Sequence, residues 1–339
     1  MKIEENKSLK ELNTFGIDAQ CNFLVTYDSV EDLELLHRDE FFQESKKIFI
    51  GEGSNLLFLA NFKGIVLISN IKDIVRLEDK EEEDFAYLRI GGGMKWDDLI
   101  EYSLENGLFG LENLSLIPGT VGAAARQNIG AYGTEICQFI HEVHAYDTTK
   151  GIQKIFTHDE CNYSYRYSIF KEECMFGWVI TDVVLKLPKT EHPNLEYKDL
   201  KIYFDGKTHP TCREVREAVI HIRNNKLPKV GEVGSAGSFF MNPILTQEEL
   251  AEVIKITPDV SYHLQKDGKA KVSAGWLIDH AGLKGYRKGN VGVWDKQALV
   301  LCNYGGATGT EIGNLADYIQ TIIKERYNIT LKPEVNFIY

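Results

Sequence analysis

Several clusters of residues in this chain have the types and spacing to hold an anion or move a proton. Gly51-Glu52-Gly53-Ser54-Asn55-Leu56 follows the apolar run KIFI. Ile117-Pro118-Gly119-Thr120-Val121-Gly122-Ala123 leads on through Asn128 to Gly130-Ala131-Tyr132-Gly133. Glycine lets peptide N–H groups come close to a phosphate, and successive N–H groups can form an anion-binding concavity. One such loop alone reads most simply as a turn. A pair of them, with hydroxyl or amide side chains beside the glycines, favours a dinucleotide diphosphate. No Gly-x-Gly-x-x-Gly follows a strand and no Gly-x4-Gly-Lys-Ser/Thr occurs, which disfavours a Rossmann or P-loop site.

Cations and aromatics alternate in Tyr163-Ser164-Tyr165-Arg166-Tyr167-Ser168, and Arg223-Asn224-Asn225-Lys226 adds more positive charge. Arginine offers a planar fork to a carboxylate or phosphate, and lysine a point charge. The plain alternative is an aromatic strand and a helix C-terminus whose basic residues offset its dipole. In Gly234-Ser235-Ala236-Gly237-Ser238-Phe239-Phe240-Met241-Asn242-Pro243, a serine beside two phenylalanines is expected to be partly desolvated, which suits a proton donor. Taken alone it reads as a turn residue, and no Gly-x-Ser-x-Gly elbow supports a hydrolase triad. Glu334, in the terminal run Lys332-Pro333-Glu334-Val335, is a carboxyl in an apolar strand and a candidate for a raised pKa.

The elements that must position these residues are legible in outline. Strand signals occur at 46–50, 64–71, 85–90, 140–147 and 178–187, each short, β-branched or aromatic and bounded by turn residues. A hairpin tip is expected at 148–151. A helix is expected over 95–106, with Trp96, Leu99, Ile100 and Leu104 on one face and Gly107 as its stop. Thr211…Glu214 and Thr246…Glu249 have the spacing of helix N-terminal boxes. Ile312, Leu315, Ile319, Ile322 and Ile323 form a late helical stripe. The picture is α+β, strand-rich first and helix-richer after about residue 227.

Bulk properties exclude several classes of function. A chain of 339 residues suggests two or three domains. With 43% apolar and 26% charged residues it is an ordinary globular composition rather than a disordered one. A net charge of −12 argues against nucleic acid and anionic membranes as partners. The charged N-terminus and the lack of a long apolar segment point to a cytoplasmic protein with no membrane partner. The six cysteines are scattered singly, which implies neither a disulfide framework nor a metal site. The acidic run 78–84 reads as a solvated turn.

Read together, these segments resemble the UDP-N-acetylenolpyruvoylglucosamine reductase family. The resemblance runs in order along the chain: Asn13-Thr14-Phe15-Gly16-Ile17, the 51–56 loop, Gly110-Leu111-Glu112-Asn113-Leu114, IPGTVG, QNIGAYG, YRYSIF, KLP, GSFFMNP, 273–279, Gln297-Ala298-Leu299-Val300 and PEV. Leu195-Glu196-Tyr197-Lys198-Asp199-Leu200 is similar to the tyrosine-bearing loop of the family's first type.

The resemblance implies a vanillyl-alcohol-oxidase-like FAD-binding fold of two α+β subdomains plus a separate α+β substrate-binding domain. Residues 1–68, joined by the C-terminal strand 329–339, and residues 69–226 are the expected FAD-binding subdomains, and 227–328 the substrate domain. It implies FAD as cofactor, NADPH as reductant, UDP-N-acetylglucosamine enolpyruvate as substrate, and a monomer with no obligate protein partner. Arg166, Ser238 and Glu334 match its catalytic positions. FAD is expected against Gly51, Glu52, Gly53, Ser54, Asn55, Leu56, Ile117, Pro118, Gly119, Thr120, Gly122, Ala123, Asn128, Gly130, Ala131, Tyr132 and Arg223. The UDP sugar is expected against Tyr165, Tyr197, Lys226, Asn242, Tyr262 and Gln297. There is one departure: Ala123-Ala124-Ala125-Arg126 stands where relatives often carry small hydroxyl residues and no arginine. The competing readings are a flavin oxidase of the same superfamily and a nucleotide-sugar binding module without catalysis. The first has no need of the GSFF serine, and the second no need of the flavin loops.

Overall fold

The apolar runs around residue 90 are long enough to build one antiparallel sheet, and they do. A computed structural model describes residues 1–207, 209–229 and 231–339. In it, five strands lie in the order Ile152–Thr157, Ile140–Asp147, Trp178–Pro188, Phe85–Gly91, Ile74–Arg76. Facing apolar residues set the register, with Leu88 opposite Leu185 and Ile90 opposite Val183. Trp96, Leu99 and Ile100 of the helix Trp96–Glu105 pack on this sheet, as do Val121, Ala124 and Ala125 of the helix Val121–Gln127. These residues belong to one compact unit, made of 1–7, 21–52 and 63–223.

Four further strands form a mixed sheet in the order Lys2–Ser8, Gln20–Tyr27, Phe62–Ser69, Lys47–Ile50. The last pair is parallel, Lys47 facing Ile65 and Ile50 facing Ile68. The loop that begins at Gly51 leaves the end of Lys47–Ile50, the edge strand of that pair. Two of these strands, Lys2–Ser8 and Gln20–Tyr27, escape the sequence reading. Charged residues crowd the first because it is an edge strand with no buried residue on either face, where charge is tolerated.

The second unit comprises 8–20, 53–62 and 224–339. It holds small sheets, among them a parallel pair of Leu56–Phe58 with Asn336–Ile338, and the helices Gln247–Ile256, Ala274–His280 and Gly309–Tyr327. Thr246 and Glu249 complete the expected capping box, and Thr308 with Glu311 forms another. The late stripe is the buried face of the terminal helix, with Ile312, Ile319 and Ile323 fully enclosed. Among the described residues, no helix is long and apolar enough to cross a membrane.

At Gly309, the first residue of that helix, an added Cβ would lie 1.8 Å from the carbonyl oxygen of Phe58. Backbone cannot yield as a side chain tip does. Gly309→Ala is therefore expected to destabilise the protein by about 1–3 kcal/mol, read as a lower midpoint in thermal unfolding. An unchanged midpoint would show that the helix does not start against that strand.

Candidate active site

In the first unit the two glycine-rich loops meet. A Cβ on Gly51 would lie 2.9 Å from Thr120 Oγ1 and 3.2 Å from Ala123 Cβ. The Gly119 N–H donates to Glu52 Oε2 at 2.8 Å, and Lys95 Nζ lies 3.5 Å from the other oxygen. The second loop is stitched to the start of the Trp96–Glu105 helix. Trp96 N–H donates to Gly119 O, Val121 N–H to Met94 O, and the indole of Trp96 to Leu114 O. Gly122 packs so close to Gly92 that a Cβ would come within 3.1 Å of its carbonyl oxygen.

Leu116, just before Ile117 and Pro118, has a φ of 59°, a left-handed conformation uncommon outside glycine. Its N–H donates to Asp97 Oδ1 at 2.6 Å. Arg216 grips the same carboxylate with both Nη atoms at 2.8 and 3.0 Å, reaches Ser115 Oγ at 3.0 Å, and turns Nε to Glu101. Burial alone would raise the Asp97 pKa, but the hydrogen bonds from Arg216 and Leu116 outweigh it and hold the carboxyl below its ordinary range. Sequence reading missed this clamp, since an i, i+4 acid pair on an exposed helix face looks like ordinary solvated charge.

Arg166 tips a tight turn in which Ser164 and Tyr167 exchange both backbone hydrogen bonds. Its φ of 56° is the value glycine normally supplies at the third position of such a turn. The guanidinium donates to Gly130 O at 2.7 Å and lies 5.3 Å from the Tyr165 ring centre. A Cβ at Gly130 would come within 2.9 Å of Arg166 Nη1, so the guanidinium tip lies directly against this glycine. Asn128 gives its side chain wholly to the protein, donating to Ser164 O and Glu135 and accepting from Cys137 N–H. It braces the Arg166 turn.

Tyr132, also left-handed at φ 48°, stacks edge-on against Tyr197 at 5.2 Å, and its carbonyl accepts from Asn113. Burial pushes its hydroxyl pKa up to about 12, against the opposing pull of nearby Arg223. Arg223 is itself crowded enough that burial lowers its pKa, opposed by Tyr132 and Asp97, and its Nε has no hydrogen-bond partner. It remains a cation at neutral pH.

The second unit holds the remaining residues. Gly53 fits only as glycine, with φ 64° and a would-be Cβ 2.0 Å from Leu12 O. The Thr14 N–H donates to Gly53 O, and the Ser235 N–H to Thr14 O, so the NTFGI motif braces both the first loop and the serine segment. Asn55 donates through its side chain to Glu334 O, and its own carbonyl accepts from Asn336 N–H. Glu334 N–H donates to Phe239 O, and Ser238 bridges to Val300. The backbones of Asn55, Glu334 and the Ser238–Phe239 segment are thus tied to one another. Phe239 and Phe240 are buried against Phe15 and Phe337, while Ser238 is exposed. The expected desolvation of the serine is therefore not supplied by those rings, which point into the core.

Asn242 accepts from the Ala274 N–H at the start of the Ala274–His280 helix. The Lys226 carbonyl accepts from the Trp294 indole, Gln297 Oε1 lies over Gly275, and Tyr262 is exposed on a short strand.

Two family models match: the FAD binding domain over residues 22–155, and the UDP-N-acetylenolpyruvoylglucosamine reductase C-terminal domain over 228–338. The chain is 48% identical to the UDP-N-acetylenolpyruvoylglucosamine reductase of Porphyromonas gingivalis across the full length of both, and 40% identical to that of Flavobacterium johnsoniae, again across both. The chain belongs to this reductase family. The crystal structure of the Thermus caldophilus reductase superposes over all of both chains with a TM-score of 0.69 at 24% identity, so the fold is shared as well. Membership makes this protein an FAD-dependent oxidoreductase with the expected α+β fold.

The first unit fits such a cofactor. Among the described residues, the N–H groups of Glu52, Thr120 and Ala123 have no protein acceptor, and in the same unit the Arg223 Nε, beside Tyr132, is also without one. Unsatisfied donors of this kind call for an anionic ligand.

Replacing Asp97 by Asn keeps its shape and removes the charge that holds Arg216 and Leu116. About a third of Asp97 is exposed, so the cost is on the order of 2 kcal/mol rather than that of a fully buried pair. The sign with pH follows from the depressed pKa. The contribution is complete above the unfolded carboxylate value of about 3.9 and is lost as pH falls through the folded value. The stability gap between wild type and Asp97→Asn in urea is expected at pH 7 and should shrink below pH 4. A gap that is constant with pH would rule out the ionic clamp.

Proposed function

We propose that this enzyme reduces the enolpyruvyl double bond of UDP-N-acetylglucosamine enolpyruvate to give UDP-N-acetylmuramate, with NADPH as reductant. Bound FAD would supply the hydride transfer from NADPH to the terminal carbon of the double bond. Charge then develops toward the substrate carboxylate, which Arg166 would stabilise, with Glu334 in support. Ser238 donates its hydroxyl proton to the adjacent carbon. The product gains one hydride and one proton, and NADPH leaves as NADP⁺.

The observation that carries this reading is the bonded string from Asn55 through Glu334 to Phe239, beside Ser238. It ties the backbone segments that carry Ser238 and Glu334 to the end of the first glycine-rich loop. The exposure of Ser238 also suits a donor that substrate must reach. A serine is a weak acid in water, but the enolate formed on hydride addition is a strong base, and bound substrate would supply the desolvation that the phenylalanines do not. In the same proposal, 1–68 with 329–339 and 69–226 hold FAD, whereas Tyr165, Tyr197, Lys226, Asn242, Tyr262 and Gln297 hold the UDP sugar.

Ser238→Ala is expected to leave reduction of the flavin by NADPH nearly intact and to slow its reoxidation by the enolpyruvyl sugar by about three orders of magnitude or more. Anaerobic stopped-flow at the flavin absorbance separates the two steps. Equal slowing of both would remove Ser238 from the proton transfer. Tyr197→Phe and Lys226→Ala are expected to raise the substrate concentration needed for half-maximal reoxidation, with little change in reduction by NADPH. An unaltered substrate dependence would release both from the UDP site.

A further inference from the structure

Arg126 is the one departure from the family pattern that the reaction above does not use. It lies on the helix Val121–Gln127, three residues after Ala123 and so on the same helical face. That face is the one that Gly51 of the first glycine loop approaches, 3.2 Å from Ala123 Cβ to an added Cβ. At its other side the Arg126 carbonyl accepts from the buried Ser168 hydroxyl, two residues beyond Arg166. The residue therefore stands between the loop that begins the cofactor site and the turn that carries Arg166.

Its side chain is partly buried, and its surroundings are dense enough that burial lowers its pKa with nothing opposing. Among the described residues no carboxylate, carbonyl or aromatic ring meets the guanidinium. The contrast within the same unit is sharp, since Arg216 has Asp97, Glu101 and Ser115 and Arg166 has the Gly130 carbonyl. A half-buried cation without a counterion costs stability, and in a chain of net charge −12 an acidic partner would be easy to supply.

We propose that Arg126 neutralises an anion carried by bound FAD, so that its counterion arrives with the cofactor. This rests on the FAD reading of the site. The anion has two sources on that molecule: the diphosphate, charged in either redox state, and the isoalloxazine ring, which gains negative charge on reduction. Linkage separates them. Loss of a diphosphate contact weakens oxidised and reduced FAD alike, whereas loss of a contact to the reduced ring weakens only the reduced form and lowers the midpoint potential.

The test compares wild type, Arg126→Met and Arg126→Lys by FAD dissociation constant, from flavin fluorescence on dilution of the holoenzyme, and by midpoint potential, from dye equilibration. In Arg126→Met, oxidised FAD bound tenfold or more weakly at unchanged potential places the guanidinium on the diphosphate. Unchanged binding of oxidised FAD with a potential lowered by about 30 mV for each tenfold loss places it on the reduced ring. In either case Arg126→Lys should retain most of the wild-type value. A methionine variant matching wild type in both measurements overturns the proposal. So does a flavin-free Arg126→Met protein that unfolds well below flavin-free wild type, which would make Arg126 a structural residue. A wild-type protein that retained no flavin at all would instead remove the underlying FAD reading.

Discussion

The candidate anion site depends on one close approach, that of Gly51 to Thr120 and Ala123. Any side chain at position 51 would drive the two loops apart, because it would meet the Thr120 hydroxyl at 2.9 Å. The Glu52 carboxylate then holds the loops together by accepting the Gly119 N–H. A carboxylate beside an anion-binding loop is electrostatically awkward, and the Lys95 ammonium answers part of that charge. The donors left over are those without protein acceptors, on Glu52, Thr120 and Ala123. Bringing the loops together thus gathers donors that have no protein acceptor, and such donors are what an anion can use.

Backbone strain gathers around the same place. Leu116, Tyr132 and Arg166 all hold left-handed φ values, each a cost of about 1–3 kcal/mol for a residue with a side chain. Each has a local restraint that keeps it there. Leu116 is held by Asp97 and Arg216, Tyr132 by Asn113 and the Tyr197 ring, and Arg166 by the Gly130 carbonyl and the Asn128 brace behind its turn. Strain alone proves no function, but strain with dedicated support is retained only where the position of the side chain matters.

Much of this was legible in the sequence, and the reason is local. The strands 85–91, 140–147 and 178–188 were visible because both their patterning and their bounding turns lie within a few residues. The glycine loops were visible because close approach leaves no substitute for glycine. The edge strand Lys2–Ser8 was not, since a wet edge has no apolar pattern to betray it. The Asp97–Arg216 clamp was not either, because its partners are more than a hundred residues apart and each alone resembles surface charge. The desolvation expected for Ser238 failed for a related reason. Adjacent aromatics in sequence say nothing about which way they face, and here both serve the core.

That failure bears on which chemistry the second unit is built for. A binding module needs cations and amides for a nucleotide sugar, but gains nothing from fixing a bare hydroxyl. Here the backbone on either side of Ser238 is pinned, to Val300 by a bridge at Ser238 itself, to Leu299 through the Phe239 N–H, and to Glu334 through the Phe239 carbonyl. Phe239 and Phe240 anchor that segment in the core like bolts, leaving the hydroxyl rigidly placed but open. An alcohol oxidase removes hydride and a proton from its substrate and needs a base, a role that a neutral serine hydroxyl does not fill. A fixed, reachable hydroxyl is suited to giving a proton to a carbanion, and reduction of an activated double bond is the reaction that generates one.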